Sequence, residues 1–328
     1  MLNSANSTRQ YRYYRANNAI GIGAYDSLCL GLKRFDAEVR IDETSAEKCE
    51  ALISCVSDDE PLSFQARGCT AFRGKGFVLL KPNYLLEKNE YLSLVEKVNK
   101  SIKQTCELVV SDDEWDTLIN LHAFILSNWE YKDFGYDAHT VIGPAIYATG
   151  VCQGISKYVK LICDYLGIDC VVVSGTAVQN GTGLGGNHSW NAIKISGEWY
   201  YFDFTFDLTM SKSCSCESIC FDYFAITKQD IDKDHFGASV DFTSGKRSRD
   251  YFSERKLIVK SPMELETLLN RAKSKEVFFK VDYNWKTFNF DKEMSKALSE
   301  EKIQNKYDGM SYEYSWNDVT RTFYVKFM

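Results

Sequence analysis

The sequence is short of several things, and each shortage excludes a class of protein. It has four prolines in 328 residues, which argues against long extended linkers. No stretch approaches the ~18 uninterrupted apolar residues of a membrane span, so no membrane partner is expected. Basic residues do not dominate: 39 Lys and Arg stand against 45 Asp and Glu, a net charge of −6, and no Lys/Arg-rich run stands out. The electrostatic footprint of a nucleic-acid binder is missing. Internal repeats and low-complexity tracts are absent too. What is present is ordinary for a globular chain, 45% hydrophobic and 26% charged, which rules out disorder throughout. The length is about twice the ~150 residues typical of one domain and can bury two cores.

Arg9, Arg12 and Arg15 precede the apolar stretch Ala19–Tyr25, a loose imitation of a signal peptide. Asp26 breaks that stretch and no clear small-residue cleavage site follows. Eleven cysteines are an odd count in a chain too long to need disulfide staples. They are expected to be reduced thiols in a reducing compartment, and the chain to be cytoplasmic.

Three regions separate by pattern. Residues 1–109 read as mainly helical and packed on the core. Cys49, Leu52, Ile53 and Val56 make a helical stripe ended by Asp58-Asp59-Glu60-Pro61. A strand around Phe77–Leu80 follows, then a turn at Lys81-Pro82-Asn83 and a long charged helix. In residues 110–240, Asp112 or Asp113 caps a helix carrying Leu118, Leu121 and Ile125. A second helix lies between Cys152 and Gly167, followed by a strand at Cys170–Val173 and two strands joined at Ser196-Gly197. Residues 250–328 read β-α-β-α-β-β, a small α+β accessory domain whose first helix opens on the capping box Ser261-Pro262-Met263-Glu264.

Cys152 opens a predicted helix rather than lying within one. Unpaired N–H groups and the positive end of the helix dipole stabilise a thiolate there, and its backbone N–H can serve an oxyanion hole. His188 begins the strand His188–Ile195, and Asp203 lies in the next strand, Glu198–Thr205. If Ser196-Gly197 is a two-residue turn, Ile195 pairs with Glu198 and Trp190 faces Asp203. His188 is then the diagonal neighbour of Asp203 on one face, with roughly 7–8 Å between their backbones. A one-residue slip would separate them. The pattern is nucleophile, base and orienter; the spacing does not by itself bring Cys152 to His188.

Gly150-Val151-Cys152-Gln153-Gly154, then Leu166-Gly167-Ile168, His188-Ser189-Trp190-Asn191 and Gly197–Asp207 resemble the transglutaminase-like superfamily. More narrowly, they are similar to bacterial transglutaminase-core proteins of the cysteine-peptidase type. The resemblance covers the middle of the chain and implies a papain-like α+β core. It implies Cys152 as nucleophile, His188 as general base and acid, and Asp203 as orienter. It also implies acyl transfer from a peptide or glutamine-type amide of a peptide or protein substrate, through a thioester. Vertebrate-type members have Trp after the nucleophile where this chain has Gln153, and no acidic cluster typical of their calcium sites is seen. A peptidase or amidase is therefore expected ahead of a cross-linking transglutaminase. A catalytically silent binding or scaffolding module is the alternative.

Other candidates carry less. Asn180–Asn187 is Gly-rich but precedes a strand, so it lacks the helix N-terminus of a nucleotide site and reads as a loop delivering His188. Cys214, Cys216 and Cys220 offer thiolates without the usual paired zinc spacing. Gln153 and Tyr147 are candidate oxyanion or substrate contacts, His139 a candidate cleft residue, and Trp190 a candidate shield for the ion pair. His122 reads as structural and Asp207 as a turn or cap residue. No metal and no cofactor is expected.

Overall fold

The computed structural model describes residues 21–42, 45–178, 185–213, 219–245 and 250–328. The arginines of the signal-like start, most of the Gly-rich loop, and Cys214 and Cys216 lie outside the described residues.

The first region comprises α1 (Ile22–Arg34), β1 (Val39–Ile41), α2 (Ala46–Asp59), β2 (Ala66–Arg73) and β3 (Val78–Tyr84). Ser45 caps α2 by accepting from Lys48 N, and Cys49, Leu52 and Val56 are buried as the stripe requires. They pack with Leu28, Leu32, Val39, Val78 and Leu80 in one core. Across residues 1–109 helix still outweighs strand among the described residues, but the three strands add an antiparallel sheet in the order β1-β3-β2, of which only the strand around Phe77–Leu80 is expected. The sequence hides it: β1 is three residues long and β2 is almost wholly exposed, so neither shows an alternating pattern. Lys81-Pro82-Asn83 continues β3 rather than turning. Pro82 is tolerated because β1 pairs only with Val78–Leu80, so the strand has no ladder partner to lose on that side.

The middle region begins with α3 (Lys88–Val109) and α4 (Glu114–Asn128). Asp113 is the residue that caps α4, accepting from Asp116 N at 2.7 Å. Then come β4 (Glu130–Tyr131), a 3-10 turn (Tyr136–His139), α5 (Ile142–Tyr147), β5 (Thr149–Gly150) and α6 (Cys152–Leu166). Gly167, at φ 77°, ends α6 in a left-handed cap, with Ile168 N donating to Cys163 O at 2.8 Å. The strands β6 (Cys170–Val178), β7 (Gly185–Ile195) and β8 (Glu198–Phe202) follow, then α7 (Phe204–Ser213), α8 (Lys228–Ile231) and β9 (His235–Phe236). They form an antiparallel sheet in the order β8-β7-β6-β9. Ser196 and Gly197, both at positive φ (51° and 88°), make the tight turn that joins β7 to β8.

Helix α6 covers one face of this sheet, with Ile155, Tyr158 and Ile162 against Cys170, Ile193 and Phe202. On the other face Val171, Val173, Trp190 and Tyr201 lie under Tyr223, Val240 and Phe242. Burial on both sides explains why Cys170–Val173 is a continuous apolar run rather than an alternating one.

The last region opens with a short helix that the expected β-α-β-α-β-β order lacks, α9 (Tyr251–Glu254). It continues with β10 (Ile258–Val259), α10 (Pro262–Arg271), β11 (Glu276–Val281), α11 (Phe290–Ser299), α12 (Glu301–Tyr307), β12 (Tyr312–Asn317) and β13 (Thr322–Phe327). The single helix expected near residues 291–304 is two, separated at the extended Glu300. The sheet runs β10-β11-β13-β12 over its own core, which includes Leu265, Phe279, Met294 and Val325. Buried polar contacts fasten it to the middle region: the Tyr324 hydroxyl donates to Asp222 Oδ1 at 2.7 Å and accepts from Phe221 N at 3.0 Å. Among the described residues no helix is long and apolar enough to cross a membrane.

Candidate active site

Cys152 is the first residue of α6, half-buried, with a free thiol. Its helix has no side-chain cap at Val151, so the first-turn N–H groups keep their positive end open toward the thiol. Gly154 lets the start of α6 press against the 3-10 turn. A Cβ there would stand 2.3 Å from Ala138 O and 2.8 Å from Thr140 O. Val151 N donates to that same Ala138 O at 3.0 Å, which sets where the helix begins.

The β7–β8 register pairs Asn191 with Phe202 and Ile195 with Glu198, as the two-residue turn requires. His188 and Asp203 consequently fall on one side of the hairpin, and His188 Nε2 lies 2.7 Å from Asp203 Oδ2. Asp203 is not inside a strand, where the sequence reading had it. It stands at the junction of β8 and α7, where Oδ1 accepts from Thr205 N at 2.9 Å and Phe206 N at 3.1 Å as a helix N-cap does. The strand stops because the carboxylate captures the backbone N–H groups a further ladder would need.

His188 and Asp203 are both buried. Burial alone would lower the His188 pKa, but the Asp203 charge, its hydrogen bond, and interaction with Cys152 outweigh it and raise the value to about 10. Burial alone would raise the Asp203 pKa; the charges and hydrogen bonds of His188 and His235 hold it well below the usual carboxylate range. Because Nε2 of His188 is committed to Asp203, the ring nitrogen left for the Cys152 side chain is Nδ1. Cys152 thus interacts with the His188 side chain, which in turn hydrogen-bonds Asp203.

Two residues of this cluster have no role assigned from the sequence, although the segment Asp230–His235 also fits the family resemblance. Tyr131 sits in the two-residue β4, which pairs in parallel with β5 just before Cys152. Its hydroxyl takes a hydrogen bond from the Cys152 backbone; burial, then the charges of Cys152 and Asp203, raise its pKa to about 12. His235 opens β9, and its Nε2 lies 3.1 Å from the same Asp203 Oδ2. Tyr131 is hidden by the shortness of its strand, and His235 by the long excursion between β8 and β9.

The remaining candidates fall in different places. Trp190 is buried and stacks over His188 at 6.1 Å between ring centroids, with Phe206 at 4.7 Å on the imidazole as well. Gln153 and His139 line a cavity of about 750 Å³ between α2, β2 and the 3-10 turn, together with Arg67, Asp133, Tyr136 and Lys157. Asp133 Oδ2 holds His139 Nε2 at 3.2 Å. Tyr147 is exposed and stands edge-on to Phe134. His122 is fully buried, donating from Nε2 to Cys220 O at 2.8 Å beside Asp207. Burial pulls its pKa down to about 4. Asp207 lies in the first turn of α7 and accepts from Asp222 N and Tyr223 N, so it fastens the loop that follows.

Among the described residues, the donor atoms of His188, Asp203 and His235 converge within 4.8 Å of one another. Both imidazoles contact Asp203 Oδ2, at 2.7 Å and 3.1 Å, which links the three residues in one hydrogen-bonded cluster.

Residues 102–204 match the family described as the transglutaminase-like superfamily, and Cys152, His188 and Asp203 all lie within that match. This stretch is similar to a transglutaminase-like core. Similar solved structures include a TGase (13% identity over 51% of this chain and 50% of that chain, TM-score 0.30). Another is a Cytophaga hutchinsonii protein named as a candidate cysteine protease (15% identity, 42% and 61%, TM-score 0.28). A third is the periplasmic domain of TgpA from Pseudomonas aeruginosa (15% identity, 42% and 55%, TM-score 0.26). The chain spans between 50% and 61% of the length of these three. No curated protein matches it. The β1–β3 sheet lies before the matched residues and the β10–β13 sheet after them.

Proposed function

We propose that the protein is a cysteine-dependent acyl-transfer enzyme, acting on peptide or glutamine-type amides as a peptidase or amidase. The observation that carries the reading is the chain of contacts from Cys152 through the His188 ring to Asp203. In this reading Nδ1 of His188 takes the Cys152 proton, and the thiolate attacks the amide carbonyl. The imidazolium then returns the proton to the departing amine, leaving a thioester. Water resolves the thioester by the same route in reverse, with His188 as base. Asp203 holds the ring in the orientation that presents Nδ1 to sulfur and balances the imidazolium charge.

The developing oxyanion meets the positive end of α6 and the Tyr131 hydroxyl, which accepts from the Cys152 backbone and has its own proton to donate. The substrate chain lies in the cavity that begins at Gln153, beside the nucleophile. Its lining joins cations, anions and apolar surface, which suits a peptide segment better than a small apolar ligand. Water is the expected acceptor, because Cys152 is only partly buried.

Hydrolysis and transamidation separate on one assay. Ammonia release from glutamine-containing peptides, and peptide cleavage, are followed with and without an added primary amine. Hydrolysis predicts products independent of the amine; transamidation predicts amine incorporation. Neither product, with Cys152 unreactive, would leave a binding module.

A further inference from the structure

His235 is not needed by the nucleophile–base–orienter scheme, yet it is built into the same cluster. It opens β9, which pairs Ala177 with His235 and Thr176 with Phe236. Gly175 permits that approach, since a Cβ there would stand 2.5 Å from Phe236 O and 2.8 Å from the Trp190 ring. The imidazole is buried, with Trp190 edge-on at 4.8 Å and Phe206 at 5.0 Å.

Each of its ring nitrogens meets a carboxylate. Nδ1 lies 2.6 Å from Asp234 Oδ1, and Nε2 lies 3.1 Å from Asp203 Oδ2. Asp234 is itself buried, and its other oxygen accepts from the Tyr223 hydroxyl. A neutral imidazole has one N–H and one lone pair, so one of the two contacts would set lone pair against lone pair. Only the imidazolium donates to both. Burial works against the charge, and the hydrogen bonds and charges of Asp203 and Asp234 outweigh it, raising the pKa.

Asp203 is fully buried. When His188 hands its proton to a leaving amine, it becomes neutral, and a buried carboxylate stripped of its cation would draw that proton back. We propose that His235 is a permanent imidazolium, clamped between Asp203 and Asp234, that keeps Asp203 ionised while His188 is neutral and so frees His188 to release its proton. The inference rests on the reading of His188 as proton carrier. His235 touches no substrate in it; it is a positioning residue acting through Asp203. The charged and titratable groups facing it are Asp203, Asp234 and His188, with Tyr223 beyond Asp234; the surfaces from β7 and α7 are the uncharged rings of Trp190 and Phe206. The His188 and His235 centroids are 5.5 Å apart, so the fixed charge disfavours protonation of His188.

Long-range nitrogen–proton correlation on full-length protein labelled in its four histidines reads both rings directly. Spectra are taken from about pH 5 to about pH 11 for wild type and for His235→Gln, which keeps an amide of similar reach without the charge. Both His235 nitrogens should remain protonated across the neutral range. The His188 midpoint should rise by at least about half a pH unit in His235→Gln, about threefold in proton affinity. A His235 ring with one bare nitrogen at neutral pH overturns the proposal, as does an unchanged or lowered His188 midpoint in a folded variant. If His235→Gln does not fold, the wild-type spectrum alone decides. Alkylation of Cys152 tests the nucleophile separately, so an inert thiol beside a doubly protonated His235 would sink the reaction scheme and leave the clamp standing.

Discussion

His188 and Asp203 meet 2.7 Å apart at the open end of the β7–β8 hairpin, fifteen residues apart in the chain. The tight turn at Ser196-Gly197 fixes the register that makes this possible. The same carboxylate caps α7 with its other oxygen, so one side chain both ends a strand and orients the base.

Asp203→Asn should separate those two duties. Asn is as good a helix cap as Asp, so α7 should persist. The amide, however, turns an NH₂ toward two imidazole donors or gives up the cap. Amide hydrolysis should fall by about 10³-fold or more while circular dichroism stays close to wild type. A loss of less than about tenfold would remove Asp203 from the orienting role.

Tyr131→Phe tests the hydroxyl beside the nucleophile. If it meets the oxyanion, turnover should drop by about 10- to 100-fold. Alkylation of Cys152, which builds no tetrahedral oxyanion, should change less than about threefold. Equal losses in both would mean that Tyr131 acts on the thiol instead.

Gly154→Ala places a Cβ within 2.3 Å of Ala138 O, a backbone atom that cannot rotate away. Either α6 or the 3-10 turn must shift, so unfolding free energy should fall by about 1–3 kcal/mol with a matching loss of Cys152 reactivity. A neutral effect in denaturant titration would contradict the tight contact.

The proton on His188 gives a pH signature. Its folded pKa is raised from 6.5 to about 10, so the folded chain binds that proton more tightly than the unfolded chain. The stabilisation is therefore full below pH 6.5 and lost as pH rises through about 10. The difference in unfolding free energy between wild type and His188→Gln should shrink by a few kcal/mol across that window in urea titrations. Parallel curves would mean that Asp203 does not hold the proton.

Much of this was readable from the chain. Helix α6 announced itself by a stripe between Cys152 and Gly167, and the hairpin register followed from a two-residue turn. Those features are local, set by period and turn chemistry. The β1–β3 sheet was not readable, because an exposed strand has no apolar alternation to show. Neither were Tyr131 and His235, whose neighbours are chosen by tertiary pairing. His235 reaches Asp203, 32 residues back in the chain, only because β9 pairs with β6 at Thr176 and Ala177, next to Gly175. Its two carboxylate partners give it a charge that composition cannot reveal.

The most direct test of the central claim is site-resolved alkylation of Cys152 by iodoacetamide as a function of pH, in wild type and His188→Ala. The account predicts labelling of Cys152 at about pH 6 at least tenfold faster than an unassisted thiol, which reacts mainly above ~8, and loss of that advantage in His188→Ala. Ordinary thiol reactivity in folded wild type, unchanged by His188→Ala, would contradict it.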